Sequence, residues 1–160
     1  MIRYIRLIKE GIINLIKWFP VIWKDRWWDD HYIFVILQFK LSDMEKKYRK
    51  DSIHLYKDHT ADKMKLCVML LNRIIKDDYL ENALMFHNKK WGDLRIITTP
   101  TEGSRTCSLE FRSENATGET QIKEENKARM KWYEHSENQK NQDIDMLFNK
   151  MAKHIQGWWD

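Results

Sequence analysis

The sequence predicts a mainly α-helical protein, a bundle of about five helices with a small β-hairpin inserted near residues 94–111. Apolar residues recur at steps of three and four along most of the 160-residue chain, which is the spacing of one face of a helix. Residues 93–118 depart from this spacing and include two β-prone runs. The length is that of one domain, so we expect a single helical domain over residues 1–160, with the hairpin and its loop at about 93–118.

The first predicted helix covers residues 1–19 and is both apolar and basic. Its apolar face is formed by Ile2, Ile5, Ile8, Ile12, Ile16 and Phe19. Because proline has no amide hydrogen, we expect Pro20 to end the helix. A basic amphipathic helix can lie on a membrane surface. A helix inside a bundle has the same periodicity, however, and we expect the packed arrangement. Charges interrupt the segment too often for a signal peptide or a membrane-spanning helix, so we expect neither.

Three later segments predict helices that share one core. They cover residues 31–50, 60–88 and 143–157, and their apolar residues step by three and four, as in helices packed nearly antiparallel. Leu41 and Leu71 lie on these seams, so we expect both to be buried. Residues 119–137 are strongly polar and predict an exposed helix, after which Asp143 starts the last one.

The predicted hairpin is formed by two short β-prone runs, residues 94–99 and 106–111. Pro100 and Gly103 lie between the runs, and both residue types favour turns. The spacing therefore predicts two antiparallel strands with a tight connection.

The densest candidate site is the segment between the first two predicted helices. Its candidate ligand-binding residues are Trp23, Lys24, Arg26, Trp27 and Trp28. Indole rings beside Lys24 and Arg26 can stack on bases while the cations neutralise phosphate. Alternatively, the tryptophans fill a corner between helices, and Arg26 pairs with a nearby acid. The acids are Asp25, Asp29 and Asp30. They offset the bases, which favours the structural alternative.

The sequence ends with a tryptophan pair, Trp158 and Trp159, before Asp160. Two adjacent indoles are too apolar to remain in water, so we expect them to close the core or to fill a subunit interface. The tryptophan-rich segment near the first helix is equally apolar. We therefore predict that the pair packs near Trp18, Trp23 or Trp27.

No motif in the sequence indicates catalysis or a metal site. His54 and His59 are five residues apart, whereas metal ligands on one helix face are three or four apart, so we expect no metal ion and no cofactor. Asp29, Asp30 and His31 are suited to acid–base chemistry, but we expect the acids to cap a helix instead. A nucleophile elbow, a phosphate-binding glycine loop and a dinucleotide fingerprint are all missing. We therefore expect a protein that is not an enzyme.

Several blocks of the sequence, in a fixed order, carry a resemblance to a group of proteins. The most distinctive block is residues 17–26, and others lie within residues 37–46, 71–79, 87–92, 147–148 and 158–160. In these blocks the chain resembles uncharacterised proteins encoded by tailed bacteriophages. The resemblance implies a phage product that acts in the cytoplasm of the host bacterium, and it brings no assigned activity or functional residues.

The expected function is binding. A net charge of +4 and a pI of about 9.0 permit an anionic partner. We therefore expect a module that captures an anionic ligand, either nucleic acid or a nucleotide signal of host defence. The alternative is a protein–protein role, as a virion or assembly component or as an inhibitor of a host factor. A basic cleft would favour the first function and an apolar patch the second. We expect no membrane partner, and either function is compatible with a homo-oligomer.

Overall fold

The computed structural model describes residues 2–24, 26, 28–29, 31–51, 56–100 and 106–158. Within them the chain forms five α-helices and one antiparallel hairpin, which confirms the predicted fold class. The helices are α1 (Ile2–Ile22), α2 (His31–Asp51), α3 (Lys57–Lys76), α4 (Tyr79–Trp91) and α5 (Glu119–His154), and a short 3₁₀ helix (Ile155–Trp158) follows α5. The strands are β1 (Leu94–Pro100) and β2 (Cys107–Ser113), with Ile96 opposite Phe111.

The described chain divides into two compact units. The first contains Met1–Lys76 together with Ile144–Asp160, and the second contains Asp77–Asp143. The expectation of one domain over residues 1–160 stays a prediction, and the two units are described in turn.

Pro20 lies inside α1 and does not end it, so this part of the sequence prediction was wrong. Proline removes its own amide hydrogen bond from a helix, and its ring crowds the carbonyl group four residues earlier, which kinks or ends many helices. The next turn still closes, because the backbone N–H of Trp23 donates to the carbonyl oxygen of Phe19 at 2.9 Å. The helix therefore continues to Ile22.

The helix predicted over residues 60–88 is two helices, α3 and α4. Asp77 has a φ of 49°, in the left-handed region, and this residue separates them. A left-handed residue cannot continue a right-handed helix, and aspartate adopts this conformation more readily than most residues. The Asp77 carboxylate also accepts a hydrogen bond from Lys140 Nζ at 2.9 Å. The break therefore has a local cause that the apolar periodicity does not reveal.

The helices predicted over residues 119–137 and 143–157 are joined in one helix, α5. Asp143 was expected to start the second of them, but it lies within the continuous helix and is 6% exposed. Its carboxylate accepts a hydrogen bond from the Tyr79 hydroxyl at 2.6 Å. This buried partner satisfies the Asp143 side chain, so it does not cap a new helix.

The core of the first unit lies between α2, α3 and the end of α5. Its buried residues are Leu41, Met64, Cys67, Leu70, Leu71, Ile74, Leu147, Met151 and Trp158. The predicted common core is confirmed for these elements, and Leu41 and Leu71 are 3% and 0% exposed. The C-terminal part of the segment predicted over 60–88 belongs to α4 and to the second unit.

Trp158 is buried in this core, which is one of the two places that the sequence predicted for the terminal tryptophan pair. Neither Trp18 nor Trp23 belongs to the core or packs against it among the described residues. Trp27 and Trp159 lie outside the described residues. The core position of Trp158 therefore rests on α2, α3 and α5.

The helix α1 does not contribute to the core, contrary to the expectation that it packs inside a bundle. Ile5, Ile12 and Phe19, which belong to its predicted apolar face, are 62%, 52% and 58% exposed. An exposed apolar face of this length is unusual for a monomeric protein. Its orientation needs a physical reason, which the contacts with α2 provide.

The contacts between α1 and α2 use the other side of α1. Lys17 forms an ion pair with Asp43 of α2. Trp18 packs edge-on against Phe39, with ring centroids 4.8 Å apart. These contacts turn the side that carries Lys17 toward α2, and they leave the isoleucines facing away from the unit.

A buried polar cluster holds the second unit together. The Ser113 hydroxyl donates to Glu125 Oε1 at 3.0 Å, and His87 Nε2 lies 3.2 Å from the same oxygen. Arg129 Nη1 lies 3.5 Å from it, and the guanidinium carbon is 5.7 Å from the centre of the Phe111 ring. His87, Ser113 and Glu125 are each 1% exposed, so the cluster is closed to solvent. It joins the end of the hairpin to α4 and α5.

Truncation of the core leucines should destabilise the protein. Leu71→Ala and Leu41→Ala each remove a buried side chain and leave a cavity, so we expect a loss of about 2–5 kcal/mol in the free energy of unfolding. Leu15→Ala is the matched control, because Leu15 is 73% exposed, and its effect should stay within about 0.5 kcal/mol. Urea denaturation measures all three, and equal losses would contradict the assigned core.

Removal of Glu125 should destabilise the second unit. Glu125→Ala leaves the Ser113 hydroxyl without its hydrogen-bond acceptor and removes the carboxylate that lies beside His87 and Arg129, so we expect a loss of about 3–5 kcal/mol. Glu124→Ala changes the same residue type at an exposed neighbouring position and should have little effect. Thermal melts of the two variants compare them, and similar melting temperatures would show that the cluster does not stabilise the fold.

The contact between α1 and α2 should weaken in acid. Burial raises the pKa of Asp43, but the hydrogen bonds from Lys17 and Lys47 outweigh burial and hold that pKa below its ordinary value. A lowered pKa stabilises the folded state above the unfolded-state value, and this stabilisation is lost as the pH falls. Asp43→Asn should therefore cost up to about 1 kcal/mol at neutral pH, and the difference from wild type should shrink below about pH 4. Urea denaturation at a series of pH values tests this, and a constant difference would contradict it.

Candidate functional site

The described residues of the site predicted from the sequence are exposed to solvent. Trp23 and Trp28 are 70% and 67% exposed, and Lys24 and Arg26 are exposed as well. Trp27 lies outside the described residues. The alternative interpretation, in which these tryptophans fill a corner between helices, is therefore wrong for Trp23 and Trp28.

The expectation that an acid caps α2 is confirmed for Asp29. Its Oδ1 accepts a hydrogen bond from the backbone N–H of His31, the first residue of α2, at 3.0 Å. This bond satisfies one of the free amide groups at the start of the helix. Asp29 thus has a structural role, and Asp30 lies outside the described residues.

Trp23 extends the exposed side of α1. We call this surface the α1 apolar face, and it consists of Ile5, Ile8, Ile12, Leu15, Ile16, Phe19, Ile22 and Trp23, each at least 52% exposed. At roughly 100° of rotation per residue these side chains fall within an arc of about 120°. The Trp23 ring lies 5.1 Å from the Phe19 ring, which makes the surface continuous at its C-terminal end. Trp23 therefore belongs to an apolar surface.

A second surface of the first unit is basic. It is formed by α3 and the end of α5, and we call it the basic cluster, which consists of His59, Lys63, Lys150, Lys153 and His154. His59 and Lys63 are four residues apart on α3, and Lys153 and His154 follow Lys150 by three and four residues on α5. Side chains three or four residues apart share one helix face. The two helices adjoin here, because Met64 and Met151 lie in the same core and directly follow Lys63 and Lys150.

The electrostatics of His154 reflects this crowding of positive charge. Burial lowers the pKa of His154, and the charges of Lys63, Lys153, Lys150 and His59 lower it further. Like charges that face one another destabilise the protonated form of a histidine. No described carboxylate forms an ion pair with any of the five members of the cluster. The cluster therefore presents uncompensated positive charge to solvent.

Sequence reasoning missed the basic cluster because its members come from opposite halves of the chain. His59 was considered only as a metal ligand together with His54, which lies outside the described residues. The spacing of His59 and Lys63, and of Lys150 and His154, indicates two basic helix faces. Only the packing of α3 on α5 brings those faces together.

A cavity at the base of the hairpin is less suited to an anion. It has a volume of about 310 Å³ and is lined in part by Arg95, Arg112 and Ser113. Arg95 pairs with Glu114 and Arg112 pairs with Glu110, so both positive charges are compensated. The basic cluster is therefore the better candidate site for an anionic ligand.

Comparison of the chain with protein-family models, with curated proteins and with solved structures found no match. Within the described residues, no three histidine, cysteine, aspartate or glutamate side chains are grouped so that they could hold a metal ion. None of the helices in the same part of the chain is long and apolar enough to cross a membrane.

Proposed function

We propose that this protein is a non-enzymatic binding protein that captures an anionic ligand, nucleic acid or a nucleotide, at the basic cluster. The observation that carries the proposal is the meeting of five basic side chains from two helices, none of them paired with an acid in the described structure. Uncompensated positive charge on a protein surface attracts phosphate groups and releases their counterions. The resemblance to phage proteins supplies the setting, which is the cytoplasm of an infected bacterium.

The basic cluster takes the place of Lys24 and Arg26 as the main charge contact. Lys24 and Arg26 follow the α1 apolar face in the sequence, and Trp23 is part of that face. The basic cluster brings together more basic side chains, three lysines and two histidines from two helices. The acids next to it along α3, Asp58 and Asp62, pair with Arg49 instead.

His154 makes capture dependent on pH. A bound phosphate stabilises protonated His154 and so raises its pKa from the lowered value of the free protein. By linkage, the affinity should increase as the pH falls from about 7 to about 5, because free His154 gains its proton only below the ordinary histidine value of about 6.5. Binding measured at a series of pH values tests this expectation, and His154→Gln should flatten the dependence. An affinity that is constant over this range, or that falls with the pH, would contradict it.

Charge-removal variants locate the site. The variant Lys63→Ala/Lys150→Ala and the matched variant Lys24→Ala/Arg26→Ala each lose two positive charges, on different surfaces. We expect the first to weaken binding of a labelled single-stranded oligonucleotide and to reduce the salt slope of log affinity by about 1.4, or 0.7 for each lost phosphate contact. The second should bind nearly as well as the wild type. Fluorescence anisotropy at several salt concentrations measures both.

The outcomes separate the possible sites. Circular dichroism melts should show that both variants remain folded, because the changed side chains do not lie in the core. If only Lys24→Ala/Arg26→Ala loses binding, the ligand contacts the sequence-predicted segment and the basic cluster is not the site. If the wild type binds neither the oligonucleotide nor a cyclic dinucleotide at low salt, the capture function itself is wrong.

A further inference from the structure

We propose that the α1 apolar face binds the surface of an anionic lipid bilayer, with α1 lying in the plane of the membrane interface. The inference is independent of the proposed ligand capture, because it concerns a different surface of the first unit. It departs from the expectation of no membrane partner. That expectation depended on α1 packing inside a bundle, and the structure places the face outside the core.

The first support is the extent of the exposed apolar surface. Leu15 and Ile16 are 73% and 71% exposed, and every other member of the face is at least half exposed. The helix has 21 residues, so the face is about 30 Å long. The apolar area that these eight side chains expose together exceeds the few hundred Å² of contiguous apolar surface that a monomeric protein usually leaves in water. The face therefore requires a long apolar partner.

The second support is the charge of the helix. The helix α1 carries four basic residues and one acidic residue. Arg6 pairs with Glu10 and Lys17 pairs with Asp43. The charges of Arg3, opposite the face, and of Lys9, at its edge, therefore remain to contact lipid headgroups while the face contacts acyl chains. The Lys24 side chain is exposed just beyond the C-terminal end of the helix. Charge complementarity thus selects an anionic surface.

The third support is the position of the aromatic residues. Tyr4 lies near the start of the helix and is 72% exposed, and Trp23 directly follows its end and is 70% exposed. Rings that combine an apolar body with a polar group favour the headgroup region of a membrane. Both ends of the face therefore carry side chains suited to the interface, which is the pattern of helices that lie on membranes.

A second copy of the chain fits this face less well. In two α1 helices packed through their apolar faces, Arg3 and Lys9 gain no opposite charge, because the partner helix carries the same basic residues and its one acid, Glu10, pairs with Arg6. An anionic bilayer has the opposite charge along its whole surface, and it is flat over the length of the helix.

The experiment compares two variants of equal charge with the wild-type chain. Ile12→Asp places a carboxylate in the centre of the face, and Asn14→Asp places the same charge on the other side of the same helix. Vesicles of phosphatidylglycerol and phosphatidylcholine are mixed with each protein, and the bound fraction is measured by flotation. We expect Ile12→Asp to lower the partition coefficient by at least about tenfold, because an apolar contact is replaced by a charge, and Asn14→Asp by about twofold or less.

Further measurements test whether the bilayer must be anionic and whether another partner binds the α1 apolar face. Wild-type binding should fall several-fold when phosphatidylcholine replaces all phosphatidylglycerol, and also when the salt concentration is raised. The variant Lys63→Ala/Lys150→Ala, which alters the basic cluster, should keep the apolar contribution and lose far less binding than Ile12→Asp. Equal losses in Ile12→Asp and Asn14→Asp would overturn the proposal. The absence of vesicle binding by the wild type would also overturn the proposal. In that case, a dimer that Ile12→Asp disrupts would show that the face binds a second copy, and capture of a protein through the face would show a protein partner.

Discussion

The first unit depends on the burial of α3 between α2 and the end of α5. Met64, Cys67 and Leu71 are fully buried on α3, and Leu147 is fully buried on α5. Side chains in such positions lose the most free energy when they are shortened, because the surrounding structure closes only part of the space. Trp158 completes the core from the 3₁₀ helix. This arrangement joins the two halves of the basic cluster, and none of the described residues of α1 belongs to its core.

The apolar periodicity predicts this core because the packing of helices imposes the same spacing that the sequence shows. Leu41 and Leu71 were identified in this way, and both are buried. The hairpin was also predicted, because β-prone runs on either side of proline and glycine have few other structures available. The break at Asp77 could not be predicted in the same way. It depends on one left-handed residue and on the Lys140 contact, while the apolar pattern continues past it.

The candidate sites were less predictable than the fold, for two physical reasons. An amphipathic helix has the same sequence pattern whether its apolar face meets a core, a partner or a membrane. The orientation of α1 is decided by Lys17 and Trp18, whose contacts with Asp43 and Phe39 belong to the tertiary structure. The second reason is that a site can be formed by residues far apart in the sequence. In the basic cluster, His59 and His154 come together only through the packing of α3 on α5. Glu125 is similar, since nothing in the polar sequence around it shows that it is buried.

The stability of the helix α1 depends on whether its apolar face is buried against a partner. Most of a helix's stability in a protein comes from burying an apolar face, and α1 contacts α2 mainly through a different side. Gly11 lies in the middle of the helix with no atom near enough to require a glycine, and it costs about 1 kcal/mol relative to alanine. An interface that buries the α1 apolar face would supply the missing stabilisation. Binding at this face and the helical structure of α1 therefore strengthen each other, whereas the core of α2, α3 and α5 is complete without either.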